Sequence, residues 1–229
     1  MAKVSIILRC INRLEYTIKA ISSIDKNSGF NDYEIIVIDQ GSTDGTVEWL
    51  KSIQKEGYYK IKVKYNTINS GDAGGMKEGY ELISDDCKYV MQFDNDCEVI
   101  TNNFLKNLVT LMDKDESVGF TMMKREGVNT KIKPDKMVKI GHEEYGVLSY
   151  AVCCTIMRRE ILDNNNLWYE KERIGWLKTI SSNLRKKYKI LKSFEDKVYH
   201  IDTTSGQMKK YPSYFKNKLN GATNYVINK

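Results

Sequence analysis

The sequence is short of the residues that cross-link or clamp a chain. Its five cysteines, Cys10, Cys87, Cys97, Cys153 and Cys154, are odd in number and show no C-x-x-C spacing, and only two histidines accompany them. That pattern excludes a secreted cystine framework and a zinc ribbon, and a reducing, cytoplasmic compartment is expected. Proline is rarer still, with two residues in 229, and no Pro- or Ser-rich linker or internal repeat divides the chain. Long apolar runs are missing too. A membrane span needs about 20 apolar residues, whereas Val4-Ser5-Ile6-Ile7-Leu8 is stopped by Arg9, which suits a buried strand and not a leader peptide.

What is there is globular: 41% of residues are hydrophobic and 29% charged. A chain of this size buries about 70–75% of the surface its unfolded form exposes, so a core needs no staples. Charge is divided unevenly, since residues 1–157 carry 20 basic and 23 acidic side chains and residues 158–229 carry 16 and 7. The basic end is either a solvated lysine surface or a face for phosphate groups or an anionic membrane.

Short β-branched runs alternate with stretches of helical period, the pattern of βαβ units around a parallel sheet. Strands are expected at Val4–Leu8, Glu34–Asp39, Ile61–Asn66 and Tyr89–Phe93, with helices near Arg13–Ile24, Thr46–Gln54, Ala73–Ser84 and Asn103–Met112. Beyond residue 115 the pattern loosens into Val118–Met123, a polar stretch over 124–146, a strand at Leu148–Met157, a loop and helix over Trp168–Ser182, and short strands at Tyr188–Leu191 and Lys197–Ile201. This half reads as antiparallel strands added to the parallel sheet.

Three segments carry chemistry. Phe93-Asp94-Asn95-Asp96 ends a buried strand, where a parallel sheet opens its ligand crevice. Two carboxylates at i and i+2 can share a hard divalent cation with phosphate oxygens, although Asp and Asn are also ordinary turn residues. Asp39 ends another strand, where it can accept from a uracil imide or a ribose hydroxyl, or simply shape a turn; Asp44 reads as a helix cap. Asn69-Ser70-Gly71-Asp72-Ala73-Gly74-Gly75-Met76-Lys77 puts small residues at a helix start with Lys77 one turn in, which suits a diphosphate. It is neither G-x-G-x-x-G nor a P-loop.

Taken in order, Val4–Leu8 with Asn12-Arg13, Val37–Thr46, Asn69-Ser70-Gly71, Phe93–Asp96 and Thr155-Ile156-Met157-Arg158-Arg159-Glu160 resemble the family 2 glycosyltransferases over about residues 3–205. The resemblance implies an α/β chain of the GT-A type, with a Rossmann-like, mostly parallel central sheet flanked by helices and antiparallel strands in the C-terminal half. It divides into one domain over 1–205, with a nucleotide-binding half at 1–115 and an acceptor half at 116–205, and a basic tail at 206–229. The implied activity is transfer of a hexose from a nucleotide-diphosphate donor, UDP favoured, with inversion and with Mn²⁺ or Mg²⁺ as cofactor. By position, Arg9, Ile11, Asn12 and Arg13 would lie beside the base, Asp39 would contact it, Gly71, Asp72 and Lys77 would approach the diphosphate, and Asn95 would lie with the donor. Asp94 would sit near the ribose and the metal, Asp96 would be a direct metal ligand and so part of the catalytic machinery, and His200 would complete the metal site near the diphosphate.

Inversion also needs a carboxylate that takes the acceptor's proton. The family's acidic pair would fall on Gly175 and Trp176, so Glu172 is assigned as base, with Glu170, Glu143 and Glu144 as further candidates. Arg9-Cys10-Ile11 also departs from the small residues usual before Asn12, and Arg9 offers an extra phosphate contact. The acceptor is a glycan, a lipid-linked sugar or a protein. No nucleic acid is expected as partner, and Tyr211, Tyr214 and Phe215 with their lysines offer a peripheral contact at the inner face of a membrane. The alternatives are a sugar nucleotidyltransferase and a GT-A relative that binds nucleotide without turnover.

Overall fold

The computed structural model describes residues 3–57, 60–127, 132–163, 167–168, 175–201 and 204–212. Its elements run β1 (Lys3–Cys10), α1 (Leu14–Asn27), β2 (Tyr33–Asp39), α2 (Thr46–Lys55), β3 (Ile61–Tyr65), α3 (Gly71–Tyr80), β4 (Cys87–Asp94), β5 (Cys97–Val99) and α4 (Phe104–Lys114). Then follow β6 (Val118–Glu126), β7 (Lys136–Ile140), β8 (Glu143–Val147), β9 (Thr155–Arg158), α5 (Arg159–Leu162), α6 (Trp176–Leu184), β10 (Lys189–His200) and α7 (Thr204–Lys210).

One sheet runs β3-β2-β1-β4-β9-β6-β10-β8-β7, with β5 paired to the far end of β10. The first four strands are parallel, β9 runs antiparallel between β4 and β6, and β10 is parallel to β6. The period of two explains the double burial. Ile6, Leu8, Ile35 and Val37 face the layer that holds α1, α2 and α4, while Ile7, Ile36 and Ile38 face α3, α5 and α6. α3 lies especially close to β1: a Cβ on Gly79 would come within 2.4 Å of Ile7 Cγ2.

The second half differs from the sequence-based reading in three places. The strand expected at Leu148–Met157 shrinks to β9, because Cys154 takes a positive φ of 54° and the Thr155 hydroxyl bonds back to the Val152 carbonyl at 2.5 Å. The two short strands near residue 190 and residue 200 are one, β10, interrupted by an irregularity between Lys192 and Lys197. There the Ser193 hydroxyl accepts from the Asp196 amide at 3.0 Å and donates to the Asp196 carboxylate at 2.8 Å, which mimics a turn without ending the strand. The polar stretch over 124–146 contains the antiparallel pair β7–β8 at the sheet edge.

Of the basic tail, Tyr211 packs edge-on against Tyr16 at 5.6 Å and donates to Glu15 at 2.7 Å, with Lys210 also paired to Glu15. Tyr214 and Phe215 lie outside the described residues. Among the described residues, no helix is long and apolar enough to cross a membrane.

Candidate active site

β1 and β4 are adjacent and parallel, so their carboxyl ends bring Arg9 beside Asp94. The chain turns at Asn95-Asp96 and re-enters the sheet as β5. Asn95 is buried: it donates to the Thr17 hydroxyl at 3.2 Å and accepts from Arg13 Nη2 at 2.7 Å, which ties the turn to α1. The flanking carboxylates face the rim. Asp94 lies 3.6 Å from Arg9 Nη2, while Asp96 lies 3.2 Å from Arg13 Nη1 and 3.7 Å from His200 Nε2. The Asp96 carbonyl accepts from the Ile201 amide at 2.7 Å and so fixes the end of β10 to the turn. Burial, together with Cys153 and Asp96 nearby, pushes the Asp94 carboxyl up to about 8, and Arg9 pulls the other way.

Arg13 reaches this turn because Asn12 and Arg13 both adopt left-handed backbone, with φ of 53° and 61°. Such strain persists only where the surroundings hold it. Here the Asn12 amide donates to Ser42 Oγ and its side-chain oxygen accepts from the Thr43 amide, each at 2.7 Å. Asp44 accepts from the amides of Leu14 and Thr46, at 2.9 and 3.2 Å, so one carboxylate serves the starts of both α1 and α2. Ile11 is buried next to this loop. Asp39 is also fully buried, and one of its oxygens accepts from the Gly41 and Ser42 amides, both at 3.1 Å.

Gly71 opens α3 with φ 78°. Asp72, one residue on, pairs with Arg9 and also accepts from the amides of Gly175 and Trp176, both at 3.0 Å. A carboxylate from α3 therefore caps α6 at the two positions where the family's acidic pair would stand. Gly75 makes room for this arrangement, since a Cβ there would meet Gln40 Nε2 at 2.4 Å and Arg9 Cδ at 2.8 Å. Trp176 is core: its ring stacks on Trp168 at 5.2 Å, and its indole N–H donates to the Leu167 carbonyl at 2.8 Å.

The structure thus brings Arg9, Arg13, Asp72, Asp94, Asn95, Asp96 and His200 to one rim. Lys77 is exposed on α3 and joins none of these contacts, while Ile11, Asn12 and Asp39 build the adjoining loop wall. Glu143 and Glu144 stand on β8 at the far edge of the sheet. Glu172 and Glu170 lie outside the described residues. The donor atoms of Asp94, Asp96 and His200 do not all fall within 4.8 Å of one another, and each carboxylate is paired with an arginine. The oxygen-rich donor set still suits a hard divalent ion. The sequence reading missed the clasp from Asp72 to α6. Its one signal is a glycine at position 175, the residue that most readily takes the φ of 88° found at this helix start.

Known proteins resemble this chain in sequence and in fold. A transferase from Campylobacter jejuni subsp. jejuni serotype O:2, named GalNAc(5)-diNAcBac-PP-undecaprenol beta-1,3-glucosyltransferase, is 25% identical over 235 residues, covering 94% of this chain and 73% of its own. Other curated relatives are longer, and the chain spans about a quarter to a third of their length. Staphylococcus aureus TarS 1–349 in complex with UDP-GlcNAc superimposes with a TM-score of 0.68 at 19% identity, over 88% of this chain and 58% of that one. A mannosyltransferase from Pyrobaculum calidifontis in complex with GDP-Man and Mn²⁺ gives 0.69 at 14% identity, over 91% and 60%. At these identities the likeness concerns the fold. Sequence carries it further: residues 5–165, well over half of the chain, match the pattern of glycosyl transferase family 2, and the chain belongs to that family.

Proposed function

We propose that this protein transfers a hexose from a nucleotide-diphosphate donor to a hydroxyl acceptor with inversion at the anomeric carbon. The observation that carries the reading is the Asp94-Asn95-Asp96 turn at the carboxyl edge of the parallel strands, ringed by Arg9, Arg13 and His200. Asp94, Asp96 and His200 would hold Mn²⁺ or Mg²⁺, which when bound offsets the charge that develops on the departing diphosphate. In this reading Arg9 and Arg13 exchange their carboxylate partners for phosphate oxygens. The buried Nε of Arg9, without a hydrogen-bond partner among the described residues, supports such an exchange.

The loop of Asp39 to Thr43 with Asn12 forms the base side, and the UDP-GlcNAc complex of TarS favours UDP; the GDP-Man complex of the Pyrobaculum enzyme makes GDP the competing donor. Glu172 is our assigned base, three residues ahead of the capped start of α6. A membrane-borne, lipid-linked acceptor is favoured by the Campylobacter relative, whose name places its substrate on PP-undecaprenol.

The test incubates the protein with UDP- and GDP-sugars and Mn²⁺. Release of free sugar and nucleoside diphosphate supports transfer. Pyrophosphate production supports a nucleotidyltransferase instead. Tight nucleotide binding without turnover supports a binding module, the reading favoured by Gly175-Trp176 in place of an acidic pair.

A further inference from the structure

Behind the carboxylate turn, three of the five cysteines converge. Cys97 opens β5, and Cys153 and Cys154 lie in the irregular stretch before β9; their sulfurs all fall within 4.8 Å of one another and all three are buried. Among the described residues, no other group of three His, Cys, Asp or Glu side chains meets that limit. Successive side chains of an extended strand point to opposite faces, so neighbouring cysteines normally diverge. Cys154 breaks the alternation with φ 54°, a left-handed conformation that residues other than Gly, Asn and Asp rarely adopt. Its carbonyl is held there by the Met123 amide at 3.1 Å. Buried cysteine otherwise packs as a small hydrophobe. Packing alone asks for neither the strained residue nor three sulfurs drawn together from segments far apart in sequence.

We infer that Cys97, Cys153 and Cys154 form a site for a thiophilic divalent cation, zinc in the first instance, distinct from the donor-side carboxylates. With Zn–S bonds of about 2.3 Å, tetrahedral geometry sets the sulfurs roughly 3.8 Å apart, within reach of small side-chain rotations. Three S–H bonds are exchanged for three S–Zn bonds, and the protons leave to solvent. The resulting cluster carries one negative charge, and Arg125 of β6 lies within electrostatic reach of all three sulfurs. Thiolates favour soft cations and carboxylates hard ones, so the first equivalent of Cd²⁺ or Zn²⁺ should go to the sulfurs, whereas Mg²⁺ should go to the carboxylates. Because Cys97 follows Asp96 directly, an ion here ties the carboxylate turn to the approach of β9.

The test uses the full chain, reduced and stripped of metal. Titration with Cd²⁺ should give ultraviolet sulfur-to-cadmium charge transfer that saturates at one equivalent and persists in excess Mg²⁺. Zinc-loaded protein should show three sulfur neighbours by X-ray absorption. Cys153→Ser and Cys97→Ser should each weaken Cd²⁺ binding at least tenfold, whereas Cys87→Ser leaves it unchanged. Fewer than three sulfurs around zinc in the unaltered protein, a requirement that needs no variant to fold, would overturn the assignment. So would a charge-transfer band that survives in the Cys97→Ser, Cys153→Ser double variant.

Discussion

Asp72 Oδ2 lies 3.0 Å from the Trp176 amide nitrogen, a bond that joins α3 to the start of α6 across a hundred residues of chain. The same oxygen takes the Gly175 amide, and the other oxygen pairs with Arg9. Two of the amides that every helix start leaves open are thereby satisfied by a distant carboxylate. Replacing Asp72 with Ala removes a cap, which typically costs about 1 kcal/mol. It also leaves the partly buried Arg9 with only the longer contact to Asp94, so a total loss of about 1–3 kcal/mol is expected. Asp72→Asn keeps an acceptor oxygen and should lose less. Urea unfolding of both variants measures this, and equal losses would remove the charge of Asp72 from the account.

That clasp marks the limit of what was legible in the sequence. The parallel half was readable because Ile35-Ile36-Val37-Ile38 and Val4–Leu8 are buried on both faces, and continuous apolar runs between glycine-bearing turns leave few other solutions. The carboxylate turn was readable for the same reason, since its strand is unmistakable. β5, β7 and β8 are short pieces with little apolar periodicity, and β5 and β8 find their place only through β10, far along the chain. The Ser193 to Asp196 bonds inside β10 look in sequence like a turn between two strands. Likewise Asp72 read as a phosphate-side residue, because no local signal announces that Gly175 and Trp176 will arrive beside it.

Asp96 is the second test. A carboxylate on an open rim would contribute little to the fold, but Asp96 pairs with Arg13, whose side chain is only 4% exposed. Truncation to Ala would remove the Asp96 carboxylate from beside a buried cation and confuse stability with chemistry. Asp96→Asn keeps an oxygen near Arg13 and His200 while it removes the negative charge of the proposed metal ligand. Metal-supported turnover should fall at least about a hundredfold, as for loss of a group that stabilises developing charge, while stability drops by only about 1 kcal/mol. Turnover and thermal melting of the same sample check both halves. Undiminished turnover would take Asp96 out of the metal site.

Glu172 is assigned to proton removal from the acceptor, and its variant separates chemistry from binding. Glu172→Gln keeps shape and polarity but cannot accept the proton, so turnover should fall about 10²- to 10⁴-fold with nucleotide affinity retained. Calorimetric titration with UDP and Mn²⁺ reports the affinity, and product formation reports the rate. If Glu172→Gln turns over like the parent, the base must be sought among carboxylates already at the rim, and Asp72 at the head of α6 is then the first to test.

Away from the site, Glu34 predicts how stability responds to acid. Its carboxylate is buried on β2 and accepts from Ser5 Oγ at 2.6 Å and from the Ser84 amide at 2.8 Å, with Lys62 Nζ 2.8 Å from its second oxygen. Burial pushes the carboxyl up, but Lys62, Ser5 and Ser84 together outweigh it and hold the group below the ordinary value of 4.5. A carboxyl whose folded value is depressed binds protons less readily in the native state than in the unfolded chain. Its stabilising contribution is therefore complete above the unfolded value of 4.5 and is lost as pH falls through the lower folded value. Glu34→Gln should cost about 1–3 kcal/mol at neutral pH, because Lys62 and the two serines lose a charged acceptor. The variant should also unfold with a flatter pH dependence below pH 4.5 than the parent. Urea midpoints collected from neutral to acid pH compare the two curves, and parallel curves through the acid range would show that Glu34 is not the group that titrates.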